Sequence, residues 1–244
     1  MKLALFGLGG MGGLVEKRAR EAGHEIVAAF DVRDAGRPWK EIAAALERGG
    51  LDVAVDFSVG GVVPDHVRAC VEAGVPLVEG TTGWQAQLAE VRQIVERGGG
   101  AVVHGANFSV GVNLFYRIVA RAAAEYARDP AYAPFLEEAH HERKKDAPSG
   151  TALKLKDLVA RAYGGREVPV TSTRAGHIPG THRVGFDGPA DQILLTHEAR
   201  SREGFAAGAL LAARWIAGPP PRRGMFEFTE VLDEILGSPK ETGR

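Results

Sequence analysis

Residues 138 to 152, Glu138-Ala139-His140-His141-Glu142-Arg143-Lys144-Lys145-Asp146-Ala147-Pro148-Ser149-Gly150-Thr151-Ala152, crowd proton-carrying groups into one stretch. Pro148 and then Ser149-Gly150-Thr151 open a helix-patterned run, Ala152-Leu153-Lys154-Leu155. Backbone N–H groups, a hydroxyl and the positive end of a helix dipole therefore converge where an anion can sit, and a carboxylate is the natural guest. Hydride addition to a conjugated imine leaves a carbanion-like or amide-like centre that needs a proton. A His or Lys tuned toward neutrality can supply it, which makes His140 and Lys144 the candidates. On composition alone, a solvated charge run ending in a helix cap accounts for the segment more simply than catalysis does.

A second constellation stands at the N-terminus. Gly7-Leu8-Gly9-Gly10-Met11-Gly12 fits G-x-G-x-x-G between a strand pattern and a helix pattern. Glycines there allow a tight turn and let a pyrophosphate approach the helix N-terminus. Asp31 follows 19 residues after Gly12, at the end of the next strand pattern, where an acid accepts hydrogen bonds from an adenosine ribose. A plain strand-to-helix turn would leave five glycines within Gly7 to Gly13 without a reason. Gly80-Thr81-Thr82-Gly83 and Gly105-Ala106-Asn107-Phe108 also leave strand ends, as binding loops or as ordinary polar turns.

The surrounding elements follow from periodicity. Up to residue 103 short β-rich runs alternate with helical ones: strands at 2–6, 25–30, 52–57, 75–79 and 101–103, and helices at 14–22, 42–48, 64–74 and 85–97. That pattern predicts a Rossmann-type doubly wound parallel sheet. Beyond it come a long helix at 111–127, strands at 135–141, 168–175, 181–186 and 192–197, and one intervening helix at 151–163. Short turns such as Pro179-Gly180 point to a second α+β domain with a mixed sheet. A helix at 203–216, a stiff Pro219-Pro220-Pro221 linker and an amphipathic helix at 228–236 close the chain. The expected domains are 1–107 plus 216–244 for dinucleotide binding and 108–215 for substrate binding and oligomerisation.

Composition excludes other classes. With 244 residues, 45% hydrophobic and 25% charged, the chain can bury a full core. Its 30 basic and 31 acidic residues are interspersed at net charge −1, so neither nucleic acid nor a membrane surface is an expected partner. No apolar run spans a bilayer and the first strand runs straight into the glycine loop, so a cytoplasmic protein is expected. Cys70, the single cysteine, reads as a small buried hydrophobe. His24, His66, His104, His177, His182 and His197 show no Cys or carboxylate at metal-ligand spacing, and no metal is assigned.

The 138–152 segment matches, position by position, the E-A-H-H-x-x-K-x-D-A-P-S-G-T-A signature of the 4-hydroxy-tetrahydrodipicolinate reductase family, which the chain resembles. Asp56-Phe57-Ser58, Gly80-Thr81-Thr82-Gly83, Asn107 to Asn113, Arg174 to Ile178, Gly180-Thr181-His182 and Thr196-His197 are similar to further family blocks, in family order. The resemblance implies an NAD(P)H-dependent reduction in lysine biosynthesis by way of diaminopimelate, acting on a small cyclic dicarboxylate, by a homotetramer. It implies proton donation by His140 and Lys144, and substrate carboxylates held by His141, Lys144, Ser149, Gly150 and Thr151. It also implies cofactor contacts from Gly7 to Gly12, Asp31, Gly80 to Thr82 and Gly105 to Phe108. Met11 stands where the family often carries Arg, Val32 stands where a basic residue commonly follows the acid, and the 34–51 region is short. NADH is therefore expected to serve at least as well as NADPH, with Arg33 the remaining cation for a 2′-phosphate. Another two-domain dehydrogenase or a nucleotide-sensing regulator would explain the glycines, but neither calls for the His140, Lys144 and Ser149 group.

Overall fold

The structure, a computed structural model, describes residues 1–34 and 36–237 and divides into two units. The first begins with β1 (Lys2–Phe6), α1 (Gly10–Glu21), β2 (Glu25–Phe30), α2 (Trp39–Gly49), β3 (Val53–Asp56), α3 (Val63–Glu72), β4 (Leu77–Glu79), α4 (Leu88–Gly98) and β5 (Ala101–His104). β1, β3 and β4 are buried almost throughout, as central parallel strands flanked on both faces must be. β2 alternates between half-buried and exposed positions, the pattern of an edge strand. The helices turn apolar stripes inward, such as Ile42, Ala43 and Leu46 of α2 and Val91 and Val95 of α4.

The second unit, Ser109–Arg202, holds α5 (Val110–Tyr126), β6 (Ala133–His140), α6 (Gly150–Ala162), β7 (Val170–Arg174), β8 (Thr181–Asp187) and β9 (Gln192–Glu198). Its sheet has the order β7-β6-β8-β9; β6 runs parallel to β7 and antiparallel to β8, so the sheet is mixed as expected. Val112, Phe115, Tyr116 and Val119 of α5 and Leu155 and Val159 of α6 form one core with Leu136, Val184 and Phe186 of the strands. Because strand side chains alternate, the inward parity of β6 carries Pro134, Leu136, Glu138 and His140 in succession. Two ionisable groups thus stand on the parity of the core.

The chain then returns to the first unit with α7 (Glu203–Ala217), β10 (Gly224–Glu227) and α8 (Phe228–Leu236). All six strands are parallel in the order β10-β5-β4-β3-β1-β2, which reverses direction at β1 and β3. The expected boundary at residue 216 is corrected, because α7 packs on α1, β3, β4 and β5. Its buried Ala206, Gly208, Ala209, Ala212 and Ala213 explain why: small residues let the helix come down onto the sheet. A Cβ on Gly208 would lie 1.7 Å from the Phe108 carbonyl oxygen, and Arg18 pairs with Glu203 at 2.6 Å. The first boundary falls after Phe108 instead of Asn107. Residues 238–244, part of the segment expected to return to the first domain, lie outside the described residues.

Candidate functional site

Ligands of open α/β sheets bind beyond the carboxyl ends of the strands where the strand order reverses. In the first unit that is the end of β1 and β3, and the glycine loop lies there. Gly7 has φ +78°, and a Cβ on it would sit 2.5 Å from the Phe57 carbonyl oxygen; a Cβ on Gly12 would sit 1.7 Å from that of Gly7. Only glycine permits this closure of β1 onto α1. Gly9 caps the helix with no side-chain hydrogen bond, and a Cβ on it would meet nothing within 4 Å. An uncapped helix N-terminus with open space before it fits a pyrophosphate, and Gly9, Gly10, Met11 and Gly12 would hold one.

Asp31 follows directly on β2, and its N–H donates to Asp34 at 3.0 Å. Asp34 also pairs with Arg37 at 3.3 Å, and the Arg37 guanidinium stands 5.9 Å from the Phe30 ring centroid. Val32 and Arg33 are exposed. Arg37 is a cation that motif spacing did not single out, since it lies beyond the strand end and is brought back only by the 310 turn at Val32–Asp34. In the later loops Thr81 is buried and Phe108 is only 1% exposed, its ring packed on Phe57 and Phe228 at 6.1 and 4.6 Å. The Phe108 side chain therefore belongs to the core, and what it offers a ligand is backbone.

In the second unit the charged segment is organised around Glu138, which sequence reading left without a role. Antiparallel register sets His182 of β8 opposite Glu138, and parallel register sets Ser172 and Arg174 of β7 opposite Glu138 and His140. Glu138 Oε1 accepts from Arg174 Nη2 at 2.7 Å and from the Ser149 N–H at 3.1 Å. Oε2 lies 2.9 Å from His140 Nδ1, in close contact but off the line of a hydrogen bond, and 3.9 Å from His182 Nε2. Burial pushes Glu138 up, but hydrogen bonds from Ser149, Ser172 and Arg174 and the charge of His140 outweigh it and hold the carboxyl at about 2. Burial also lowers His182 to about 4, with the charge of His140 adding to the shift. His140 is lowered by burial; Glu138 opposes, and Lys144 and Arg174 add to it.

The other expected substrate residues surround this centre. Lys144 Nζ pairs with Asp146 at 2.8 Å. His141 is half-buried, and its Nδ1 has no hydrogen-bond partner among the described residues. Ser149 caps α6 by accepting from the Ala152 N–H at 3.2 Å, and its hydroxyl lies 3.1 Å from His182 Nε2. That hydroxyl was expected to face an anion; the side chain is instead 2% exposed and works inside the cluster. Gly150, the first helical residue, is exposed, and a Cβ on it would meet nothing within 4 Å. Thr151 shares a side-chain hydrogen bond with Tyr116. His182, set aside as a histidine without carboxylate partners, lies with Glu138 and His140 so that one ligand atom from each falls within 4.8 Å of the others. Its 44-residue distance from Glu138 hid that contact.

A parallel sheet with a glycine loop at its reversal point, joined to a mixed sheet carrying a buried acid, two histidines and a cationic rim, defines an oxidoreductase of the dinucleotide-fold class. Residues 1–108 match the model described as "Dihydrodipicolinate reductase, N-terminus" and residues 111–232 match "Dihydrodipicolinate reductase, C-terminus". The chain belongs to the dihydrodipicolinate reductase family. The 4-hydroxy-tetrahydrodipicolinate reductase of Christiangramia forsetii is 32% identical over 97% of this chain and 99% of its own length. That of Methanosarcina barkeri is 36% identical over 92% and 95%. A solved structure, dipicolinate-bound dihydrodipicolinate reductase from Paenisporosarcina sp. TG-14, superposes with a TM-score of 0.76 at 20% identity, covering 93% of this chain and 97% of that one; at that identity the likeness is one of fold.

Proposed function

We propose that this chain is a 4-hydroxy-tetrahydrodipicolinate reductase. It reduces (2S,4S)-4-hydroxy-2,3,4,5-tetrahydrodipicolinate to tetrahydrodipicolinate with loss of water, as a cytoplasmic enzyme of lysine synthesis through diaminopimelate. The observation that carries the reading is that the family's signature segment builds one connected cluster, in which Glu138 gathers His140, Arg174 and Ser149. When bound, NADH or NADPH supplies the hydride. The chain's own residues then have three tasks: His141, Lys144 and the start of α6 at Gly150 and Thr151, capped by Ser149, hold the carboxylates, Lys144 offsets their charge, and His140 delivers the proton. Burial lowers His140 toward its neutral form, so a bound dianion is what would draw a proton onto it. The test is NADH oxidation with freshly prepared substrate. Turnover that depends on this substrate is expected, and oxidation that is indifferent to it would overturn the reading.

NADH is proposed to serve at least as well as NADPH, since Asp31 suits a free 2′-hydroxyl and Met11 and Val32 supply no cation. The proposed assembly is a homotetramer formed through the mixed sheet. Within its unit α5 and α6 cover one face of that sheet. The opposite parity carries Leu194, 46% exposed, and a hollow of about 450 Å³ bordered by Glu137, Ala139, Thr171, Thr173, Thr181 and Arg183. A sheet face of this kind supports association with a second copy.

A further inference from the structure

Two carboxyl groups unused by the reaction stand side by side at the carboxyl ends of β3 and β4. Asp56 and Glu79 are register partners on these parallel neighbours, both are 0% exposed, and their carboxyl groups lie within hydrogen-bonding reach of each other. They differ in what else they hold. Asp56 Oδ1 accepts from the Ser58 N–H at 2.8 Å and from the Thr81 hydroxyl at 3.1 Å, while Oδ2 lies 2.6 Å from His66 Nδ1. Glu79 Oε1 accepts from the Thr81 N–H at 2.6 Å, but Glu79 Oε2 is buried with no donor directed at it among the described residues. A bare carboxylate oxygen there would carry an uncompensated desolvation cost, whereas a protonated one becomes the donor that a neighbouring carboxylate accepts. With His66 Nδ1 2.6 Å from its Oδ2, Asp56 is the member placed to accept from its neighbour.

We propose that Glu79 is a neutral carboxylic acid donating its proton to Asp56, and that this acid–carboxylate pair clasps the Ser58 and Thr81 loops together at the dinucleotide site. The dinucleotide part rests on the function proposed above. The clasp reaches both loops through three donors: the Ser58 N–H, shared between Asp56 Oδ1 and Thr81 Oγ1 at 2.8 and 3.0 Å, the Thr81 hydroxyl and the Thr81 N–H. Close packing leaves the loops little other freedom. A Cβ on Gly80 would lie 2.3 Å from the Phe57 ring, and one on Gly60 would lie 2.7 Å from the Gly83 carbonyl oxygen. Burial and the charge of Asp56 both push Glu79 well above the usual carboxyl value, in the direction that the geometry requires. Neither group needs to touch a ligand; both are positioning residues.

The test compares the whole wild-type protein with Glu79→Gln, which keeps a donor toward Asp56, and Glu79→Met, which keeps the bulk but no polar group. Infrared spectroscopy at neutral pH is expected to show a buried acid C=O band in the wild type that Glu79→Gln lacks. Amide hydrogen exchange at Ser58 and Thr81 is expected to be alike in wild type and Glu79→Gln. In Glu79→Met exchange should be faster by about tenfold, with a similar loss of NADH affinity by titration. A missing acid band, or exchange in Glu79→Gln as fast as in Glu79→Met, overturns the proposal; if Glu79→Met fails to fold, the band and the exchange in Glu79→Gln still decide it. Should all three proteins keep the expected band and exchange pattern but bind neither NADH nor NADPH, the clasp stands and the dinucleotide reading falls.

Discussion

At the scale of single residues, the second unit separates two jobs that look alike in sequence. His140 and Lys144 carry the proposed proton and charge, and Glu138 keeps His140, Arg174 and Ser149 in place. His140→Ala should lower kcat more than KM, by roughly 10² to 10⁴-fold if it is the general acid, while Lys144→Ala should lower kcat and raise KM together. Lys145→Ala is the control, exposed and outside the signature spacing, and should cost little. Steady-state kinetics on the three folded variants decide the assignment; near-native turnover in both His140→Ala and Lys144→Ala would sink it. Glu138→Ala has a different signature, because it strands Arg174 and the Ser149 N–H inside the protein. It should destabilise the second unit by about 3 kcal/mol, as breaking a buried pair usually does, as well as slowing turnover. Denaturant titration measures that cost, and a variant as stable as wild type would show that Glu138 does not hold the cluster together.

At the scale of elements, most of the fold was legible because the first unit repeats strong local signals. β1 and β2 lie where short strand-patterned runs alternating with helical ones put them, and α8 begins and ends as its amphipathic pattern indicated. β10 was not legible: Gly224-Met225-Phe226-Glu227 is too short to show a period, and it becomes a strand only by pairing with β5 across more than a hundred residues. The membership of α7 was hidden for the same reason, since it depends on which sheet the small residues meet. The site divides in the same way. Groups contiguous in sequence, from His140 to Thr151, could be read directly, whereas Arg174 and His182 join them only through strand register. The β2-to-α2 connection adds a prediction. Arg33 and Arg37 are both exposed there, and Arg37 is tied to Asp34. Arg33→Ala should therefore weaken NADPH selectively and leave NADH nearly unchanged, whereas Arg37→Ala should loosen Asp31 through Asp34 and weaken both. Dissociation constants for the two nucleotides test this, and equal loss for both in Arg33→Ala would assign Arg33 another role.

At the scale of the whole molecule, the proposed tetramer predicts that light scattering at micromolar protein will report four chains; a monomer alone would remove the association through the mixed sheet. The acid response follows from the buried cluster. His182 has its folded value lowered to about 4 from 6.5, and Glu138 has its value lowered to about 2 from 4.5. Both shifts mean that the unfolded chain binds more protons than the folded one, so stability rises with pH across these ranges. For His182 the contribution is complete above pH 6.5 and is lost as pH falls toward about 4; for Glu138 it is complete above 4.5 and is lost toward about 2. The second unit should thus weaken in two successive acid steps. The three tryptophans, Trp39, Trp84 and Trp215, all belong to the first unit and would miss this, so hydrogen exchange along β6 is the measurement to use. His182→Phe removes the titrating ring and should flatten the upper step while leaving the lower one. An upper step that survives in His182→Phe would assign it to another group, with His140 the first to examine.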